Sequence, residues 1–179
     1  MKLKKNSKFI VAADGAAASG KTTGSRIISR KYGLKFLSSG LLYRYAGHQL
    51  LKYKPKNKIK FLKLKFKNLN YNKINKINLH SQRISEYTSI IAKQKKIRNI
   101  LKKFQQDFAS KHKRVCIEGR DIGTVILPKA DLKFFFICNY SFNFLFCLKS
   151  FFHFFPRTHS SSFFTTNDNF SRFEWLNSF

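Results

Sequence analysis

Acidic side chains are nearly missing from this chain. Its 179 residues carry 8 Asp and Glu against 36 Lys and Arg, a formal net charge of +28. A field of that sign attracts polyanions whatever their sequence. Yet the excess is spread as Lys among Asn, Ile and Phe, residues with A- and T-rich codons, so a biased genome accounts for it as well as a polyanionic partner does. No recognition motif or clear stacking platform stands out, and no specific nucleic-acid partner is expected. Cysteine is also scarce: Cys116, Cys138 and Cys147 lack metal-ligand spacing, and their odd number does not suggest a disulfide framework, which fits a reduced cytoplasm. Long apolar runs are missing too. The aromatic stretch from Leu132 to Phe155 is interrupted by Lys133, Asn139, Asn143, Lys149 and His153, well short of the ~20 apolar residues of a membrane span. The N-terminal lysines lead straight into Phe9-Ile10-Val11, leaving no room for the apolar region of a signal peptide. The length suffices for one α/β domain with a proper core.

Against that background one stretch meets a specific chemical demand. Gly15-Ala16-Ala17-Ala18-Ser19-Gly20-Lys21-Thr22 satisfies G-x-x-x-x-G-K-[ST], with Phe9 to Ala13 ahead reading as a buried strand and Arg26-Ile27-Ile28 behind opening a helix. Glycine lets the backbone come close to a ligand, so that successive N–H groups point at phosphate oxygens, and the helix N-terminus adds its dipole. Lys21 puts a mobile cation on the β and γ phosphates, and the Thr22 hydroxyl is placed to reach Mg²⁺ directly or through water. The blander alternative is a Gly/Ala/Ser turn that merely joins strand to helix, and the full strand, loop and helix context favours nucleotide binding over it.

Beyond the loop, the helix is expected to run to about Tyr32 with Gly33 as C-cap, followed by a short strand Leu34-Lys35-Phe36-Leu37. Ser38-Ser39-Gly40 reads as a turn with exposed hydroxyls before a helix from Leu41, which places Arg44 near a helix start. That is either an anion site or simply Ser39 capping the helix with Arg44 on its surface. Lys52 to Asn78 is a Lys/Asn/Ile-rich insertion whose alternation, as in Ile59-Lys60-Phe61 and Leu64-Lys65-Phe66, suggests short strands or partial disorder. Ser81 to Phe108 has helical periodicity, with a break near Lys93 to Lys96 allowing two helices. Val115-Cys116-Ile117 then reads as a buried strand delivering Glu118-Gly119-Arg120-Asp121 at its carboxyl end, where doubly wound sheets bind ligands. With so few acids available, Asp14, Glu118 and Asp121 at two strand ends stand out. Glu118 could hold a metal-bound water, Arg120 could neutralise phosphate, and Asp121 could orient a base or an arginine; an Arg/Asp ion pair closing the turn is the alternative.

Together these segments resemble bacterial cytidylate kinase, of the nucleoside monophosphate kinase group, from about Phe9 to Asn139. The resemblance lies in Asp14 through Thr23, in Leu37 through Arg44, in Glu118 through Val125 and in Pro128 through Lys133, with Ser89 and Arg98 matching in order and spacing the serine and arginine of the family's CMP pocket. It implies a three-layer α/β phosphate-loop kinase fold with a mostly parallel sheet near Phe9, Leu34, Val115 and Lys133, incomplete at the C-terminus. It further implies transfer of the ATP γ-phosphoryl group to CMP or dCMP, with Mg²⁺ bridging the phosphates. Gly15, Ala16, Ala17, Ala18, Ser19, Gly20, Lys21, Thr22 and Thr23 would hold ATP. Ser39, Arg44, Ser89, Arg98, Arg120 and Asp121 would take the monophosphate. Lys21, Arg120 and Asp121 would serve the chemistry, and Thr22, Thr23 and Glu118 the metal. A cytoplasmic monomer is expected, with ATP and CMP or dCMP as its partners and no membrane.

Two departures qualify the resemblance. Ser38 stands where the family usually has an aspartate at the monophosphate site, and Thr22 where it commonly has glycine, so that the shared threonine is Thr23. After Asn139 the family's helix, arginine-rich lid and last parallel strand are not recognisable. More than half of the 21 Phe lie there, and Arg157 and Arg172 have no family-like neighbours. The domain organisation expected is a kinase core over 1–139, with an acceptor-side insertion at about 52–88, and a Phe-rich tail over 140–179. The tail is either an out-of-frame replacement that leaves a remnant able to bind nucleotide, or a divergent docking segment. Without the last strand a bare sheet edge and aggregation through the tail are expected. Translating the coding DNA in its other frames separates the two: an Arg/Asp-rich lid supports the replacement.

Overall fold

A computed structural model describes residues 7–74, 77–137 and, as backbone alone, 138 and 150–155. Strand β1 (Phe9–Gly15) leads through the glycine-rich loop into helix α1 (Lys21–Tyr32). Gly33 ends α1 in the left-handed region, φ 63°. Its N–H bonds Arg30 O at 3.4 Å and the Leu34 N–H bonds Ser29 O at 2.8 Å, a Schellman pair that satisfies two terminal carbonyls. Then come β2 (Lys35–Ser38) and α2 (Ser39–Tyr53). The helix starts two residues earlier than its sequence suggests: Ser38, not Ser39, is the cap, its Oγ accepting from Leu41 N at 3.2 Å. Both serines are buried at 7% exposure, so the turn does not present exposed hydroxyls.

The Lys/Asn/Ile-rich insertion is helical, not stranded: α3 (Lys58–Lys67) and the single turn α4 (Tyr71–Ile74). Ile59, Leu62 and Phe66 recur at helical spacing, Leu62 and Phe66 are buried, and Asn57 Oδ1 caps the first turn from Lys60 N at 2.9 Å. Two helices follow, α5 (Gln82–Ala92) and α6 (Lys95–Lys111), with the expected break at Lys93-Gln94. The chain then forms β3 (Arg114–Gly119), a π-turn (Ile122–Ile126), β4 (Leu132–Cys138) and β5 (Ser150–Phe155).

The sheet order is β2-β3-β1-β4-β5, the first four strands parallel and β5 antiparallel to β4. The edge of β4 is therefore paired rather than bare, Lys133 opposite Phe155 through Cys138 opposite Ser150, which corrects the expectation of an uncovered edge. Cys147, Arg157 and Arg172 lie outside the described residues, as does the composition break at Asn139. Strand alternation makes the three layers. Val11, Ala13, Cys116 and Phe136 pack with Ile28 on the α1 face, while Ala12, Leu37, Val115 and Ile117 join α2, α3, α5 and α6 residues on the other. Burial pushes the Cys116 thiol up to about 11, so it stays a thiol in the core. Among the described residues no helix is long and apolar enough to cross a membrane.

One contact seats the start of α1 on the sheet. A Cβ at Gly24 would lie 2.4 Å from Phe136 Cε1, and Phe136 is only 1% exposed, so its ring has nowhere to swing. Helix propensity favours replacing this glycine by up to about 1 kcal/mol, whereas overpacking a tight core costs about 1–3 kcal/mol and a branched residue more than alanine. The clash should win. Gly24→Val is expected to lose at least about 2 kcal/mol, read as a lower urea midpoint with an unchanged slope; an unaltered midpoint would show that the α1 seat is loose.

Candidate active site

The carboxyl ends of β1, β2 and β3 lie side by side, and every element of the site grows from them. Ala13 is in register with Glu118, Asp14 with Gly119, and Ser38 with Glu118. Beyond Asp14 the backbone turns through conformations that need little or no side chain: Gly15 at φ 157°, Ala18 at φ 59° and Gly20 at φ 76°. A Cβ on Gly15 would sit 2.6 Å from Phe136 O and 2.8 Å from Ser19 Oγ, so the loop is wedged against β4. Ala16, Ala17 and Ala18 are exposed, Ser19 is buried, and Gly20 is the N-cap residue of α1. Lys21 arches back over the loop, its Nζ donating to Ala16 O at 2.8 Å, which holds the cation above the loop. Thr22 and Thr23 are exposed in the first turn of the helix.

Asp14 has a structural partner that local sequence patterns do not reveal. Its Oδ1 accepts from Ile122 N at 2.6 Å and its Oδ2 from Gly123 N at 2.7 Å. A carboxylate accepting two backbone N–H groups is held in its ionised geometry. Burial raises its pKa above the ordinary aspartate value, and the Gly123 and Ile122 N–H groups pull it back. The consequence is mechanical: the residue before the phosphate loop clamps the π-turn that follows Arg120-Asp121, which ties the two motifs together.

On the neighbouring strands Ser38 Oγ donates to Glu118 Oε1, while the Ser38 N–H donates to the Tyr71 hydroxyl oxygen at 2.7 Å. Glu118 is 2% exposed, and burial pushes the Tyr71 phenol up to about 12. Glu118 is therefore buried at the carboxyl end of β3 and held by Ser38, and α4, through Tyr71, takes up the N–H at the end of β2. Ser39 packs against the backbone of β3, its Cβ 3.0 Å from where a Gly119 Cβ would be.

Arg44 is fastened to the helical insertion, Nη1 donating to Ser85 Oγ at 2.6 Å and to Leu79 O at 3.3 Å. Ser89, one turn further along α5, bonds its own helix at Ser85 O, 3.1 Å away. Helices α2 and α5 approach closely because Gly47 leaves room for Thr88, whose Oγ1 would lie 2.6 Å from a Cβ there. Tyr43 supplies the other junction. Burial raises its phenol, the Arg98 guanidinium lowers it and the Asp121 carboxylate raises it, so groups from α6 and from the end of β3 act on one hydroxyl of α2. The structure thus brings Arg44 to the Ser85 and Ser89 turn, while Arg98 and Asp121 act on Tyr43 through their charge. Arg120 is exposed at the end of β3. Tyr43, Tyr71 and Ser85 were not singled out by residue chemistry; their one signal was polar groups recurring on faces otherwise given to packing. Among the described residues no three His, Cys, Asp or Glu side chains cluster as a metal site, so a metal here would depend on ligand phosphates and on the exposed Thr22 and Thr23 hydroxyls.

Residues 11–140 match a protein-family model described as cytidylate kinase. The chain is 41% identical over 132 residues to a cytidylate kinase of Bartonella quintana, covering 73% of this chain and 61% of that relative. It is 39% identical over 136 residues to one of Bartonella tribocorum, and 37% identical over 139 residues to one of Thermosipho melanesiensis, 72% of this chain and 63% of that relative. The chain thus matches about three fifths of the length of these relatives.

Proposed function

The chain belongs to the cytidylate kinase family, and we propose that it transfers the γ-phosphoryl group of ATP to CMP or dCMP with Mg²⁺ bound to the phosphates. The observation that supports this reading is the Asp14 clamp, which ties the phosphate loop to the turn that follows Arg120-Asp121 at the carboxyl end of the sheet. Gly15 to Thr23 hold ATP, with Lys21 over its β and γ phosphates. Arg44, Arg98 and Arg120 take the acceptor phosphate, while Ser39, Ser89 and Asp121 orient the sugar and cytosine. Bound Mg²⁺ would neutralise charge between the transferring phosphates. Thr22 and Thr23 fit as its hydroxyl ligands. Glu118, buried and hydrogen-bonded to Ser38, fits contact through water rather than direct coordination. Little covalent work falls to the protein: holding two anions in line while cations offset their repulsion supplies the rate. The reading carries with it a cytoplasmic monomer.

ADP formation measured with CMP, dCMP, UMP, AMP and GMP tests the acceptor. Cytidine nucleotides should give the highest rate, and absence of that preference would remove the assignment. Arg44→Ala tests the geometry. Loss of a charge-assisted hydrogen bond of about 1.5–3 kcal/mol should raise KM for CMP roughly 10- to 100-fold while ATP affinity stays within about twofold. Equal losses for both nucleotides would instead indicate that freeing Ser85 and Leu79 O had damaged the fold.

A further inference from the structure

At the opposite end of the sheet from the phosphate loop, the amino ends of the strands enclose a second concentration of positive charge. A cavity of 280 Å³ there is lined by Ser7, Lys35, Lys111, His112, Lys113 and Arg114, beside the α1 cap Gly33, and among the described residues no carboxylate lines it. Its floor is the end of the sheet, where the Phe9 N–H bonds Lys113 O at 2.7 Å and Lys35 is in register with Val115; Lys113 lies in the short link between α6 and β3. His112 is fixed as a wall: its Nδ1 donates to the Phe108 carbonyl at 2.9 Å, and its ring packs on Phe108 with centroids 4.4 Å apart.

The ordinary reason for lysines here is that α1 and α6 both end at this face, and helix C-termini attract cations. Each terminus carries roughly −0.5 of a unit charge. Two of them offset about one of the three lysine charges in the lining, and about two positive charges remain on Lys35, Lys111 and Lys113. The cations come from the starts of two strands about 4.8 Å apart, from the link before one of them and from the end of α6, a spread wider than one phosphate group. The volume lies just under the roughly 300–1,000 Å³ of drug-sized pockets, and no Phe, Tyr or Trp lines it to stack a base.

We propose that this cavity is a second anion site, separate from the phosphate loop, that binds a di- or triphosphate group through its charge and without reading a base. At 3.2–3.4 Å per residue, the seven residues of β1 put it roughly 20 Å from the phosphate loop, so the two sites can be filled together.

The probe is inorganic tripolyphosphate, titrated calorimetrically into the full chain carrying Lys21→Ala to weaken the phosphate loop. Binding should persist in that background and fall at least tenfold when Lys35→Gln and Lys113→Gln are added. It should stay within twofold when Lys60→Gln and Lys63→Gln on exposed α3 positions are added instead. ATP and CTP should match tripolyphosphate within a few fold. Lys111→Gln alone provides a second reading should the double variant melt at a lower temperature than its parent. Equal losses in both double variants would assign binding to the overall field of the protein and overturn the site. Absence of binding in the Lys21→Ala background, indifference to the Lys35 and Lys113 changes, or a tenfold preference between ATP and CTP would overturn it as well.

Discussion

Replacing Lys21 by alanine is expected to weaken ATP binding roughly 10- to 100-fold, the range of one charge-assisted hydrogen bond of about 1.5–3 kcal/mol, and to lower kcat/KM by about a thousandfold. The larger figure follows from position. A unit charge about 4 Å from the phosphates, at an effective dielectric near 20, contributes about 4 kcal/mol, and part of that is realised only as charge moves during transfer. In the structure the ammonium sits on Ala16 O, within the loop that holds the donor. Losing that bond costs about 0.5–1.5 kcal/mol at a solvated surface, too little to unfold the domain, so the melting temperature should hardly move. Calorimetric titration of ATP and steady-state rates at saturating CMP separate the two effects. Unchanged affinity and rate in a folded Lys21→Ala protein would defeat the nucleotide assignment.

The features legible in the sequence are those whose cause is local. The phosphate loop needs its residues within eight positions, Gly33 ends α1 by its own backbone preference, and the unbroken apolar run Val115 to Ile117 shows a strand buried on both faces. Helix α3 was misread because Lys-Ile-Lys-Phe-Leu-Lys-Leu-Lys-Phe satisfies both periods in part; Leu62 and Phe66, four residues apart in the core, decide it. The cap of α2 was misplaced by one residue, since Ser38 and Ser39 are chemically alike and only backbone geometry separates them. Contacts between distant segments were not legible at all. The Asp14 clamp reaches backbone N–H groups 108 and 109 residues away, and any residue but proline offers an N–H there. Tyr71 meets Ser38 from a helix that the sequence had suggested as strand or disorder.

The Ser38 substitution takes on a meaning in the structure that the sequence comparison lacked. Beside a buried Glu118, an ionised aspartate would have no proton to donate to it. The serine hydroxyl donates to Glu118 Oε1. Three of the acids in this lysine-rich chain are engaged in holding the fold: Asp14 clamps a turn, Glu118 takes a hydroxyl, and Asp131 accepts from Ile10 N at 2.9 Å.

The 179-residue chain is expected to bind ATP through its phosphate loop while forming CDP slowly, because donor binding and chemistry draw on different parts of the molecule. The loop, Lys21 and the acceptor cations all lie within residues 11–140, the span of the family match. The family resemblance implies an arginine-rich lid beyond that span, and residues 141–179 fall outside the match. Lid arginines stabilise charge that develops only in the transition state, and closure excludes water from it. A transition-state arginine of this kind is worth about 10³ to 10⁵ in rate, and lid closure completes the site. Ground-state affinity does not depend on that contribution, so the ATP dissociation constant should fall in the micromolar to low millimolar range while turnover drops by the full factor. The expectation of a frayed sheet edge does not join this argument, since β5 pairs along β4. The measurement sets ATP titration and CDP formation by this chain beside the same quantities for a variant with a family lid joined after residue 139. Equal ATP affinity with a rate at least a thousandfold higher in the lidded variant is the expected result. Full turnover by the unmodified chain would show that its own residues beyond 139 supply what the lid provides, and the reading of it as a binding-competent remnant would have to be abandoned.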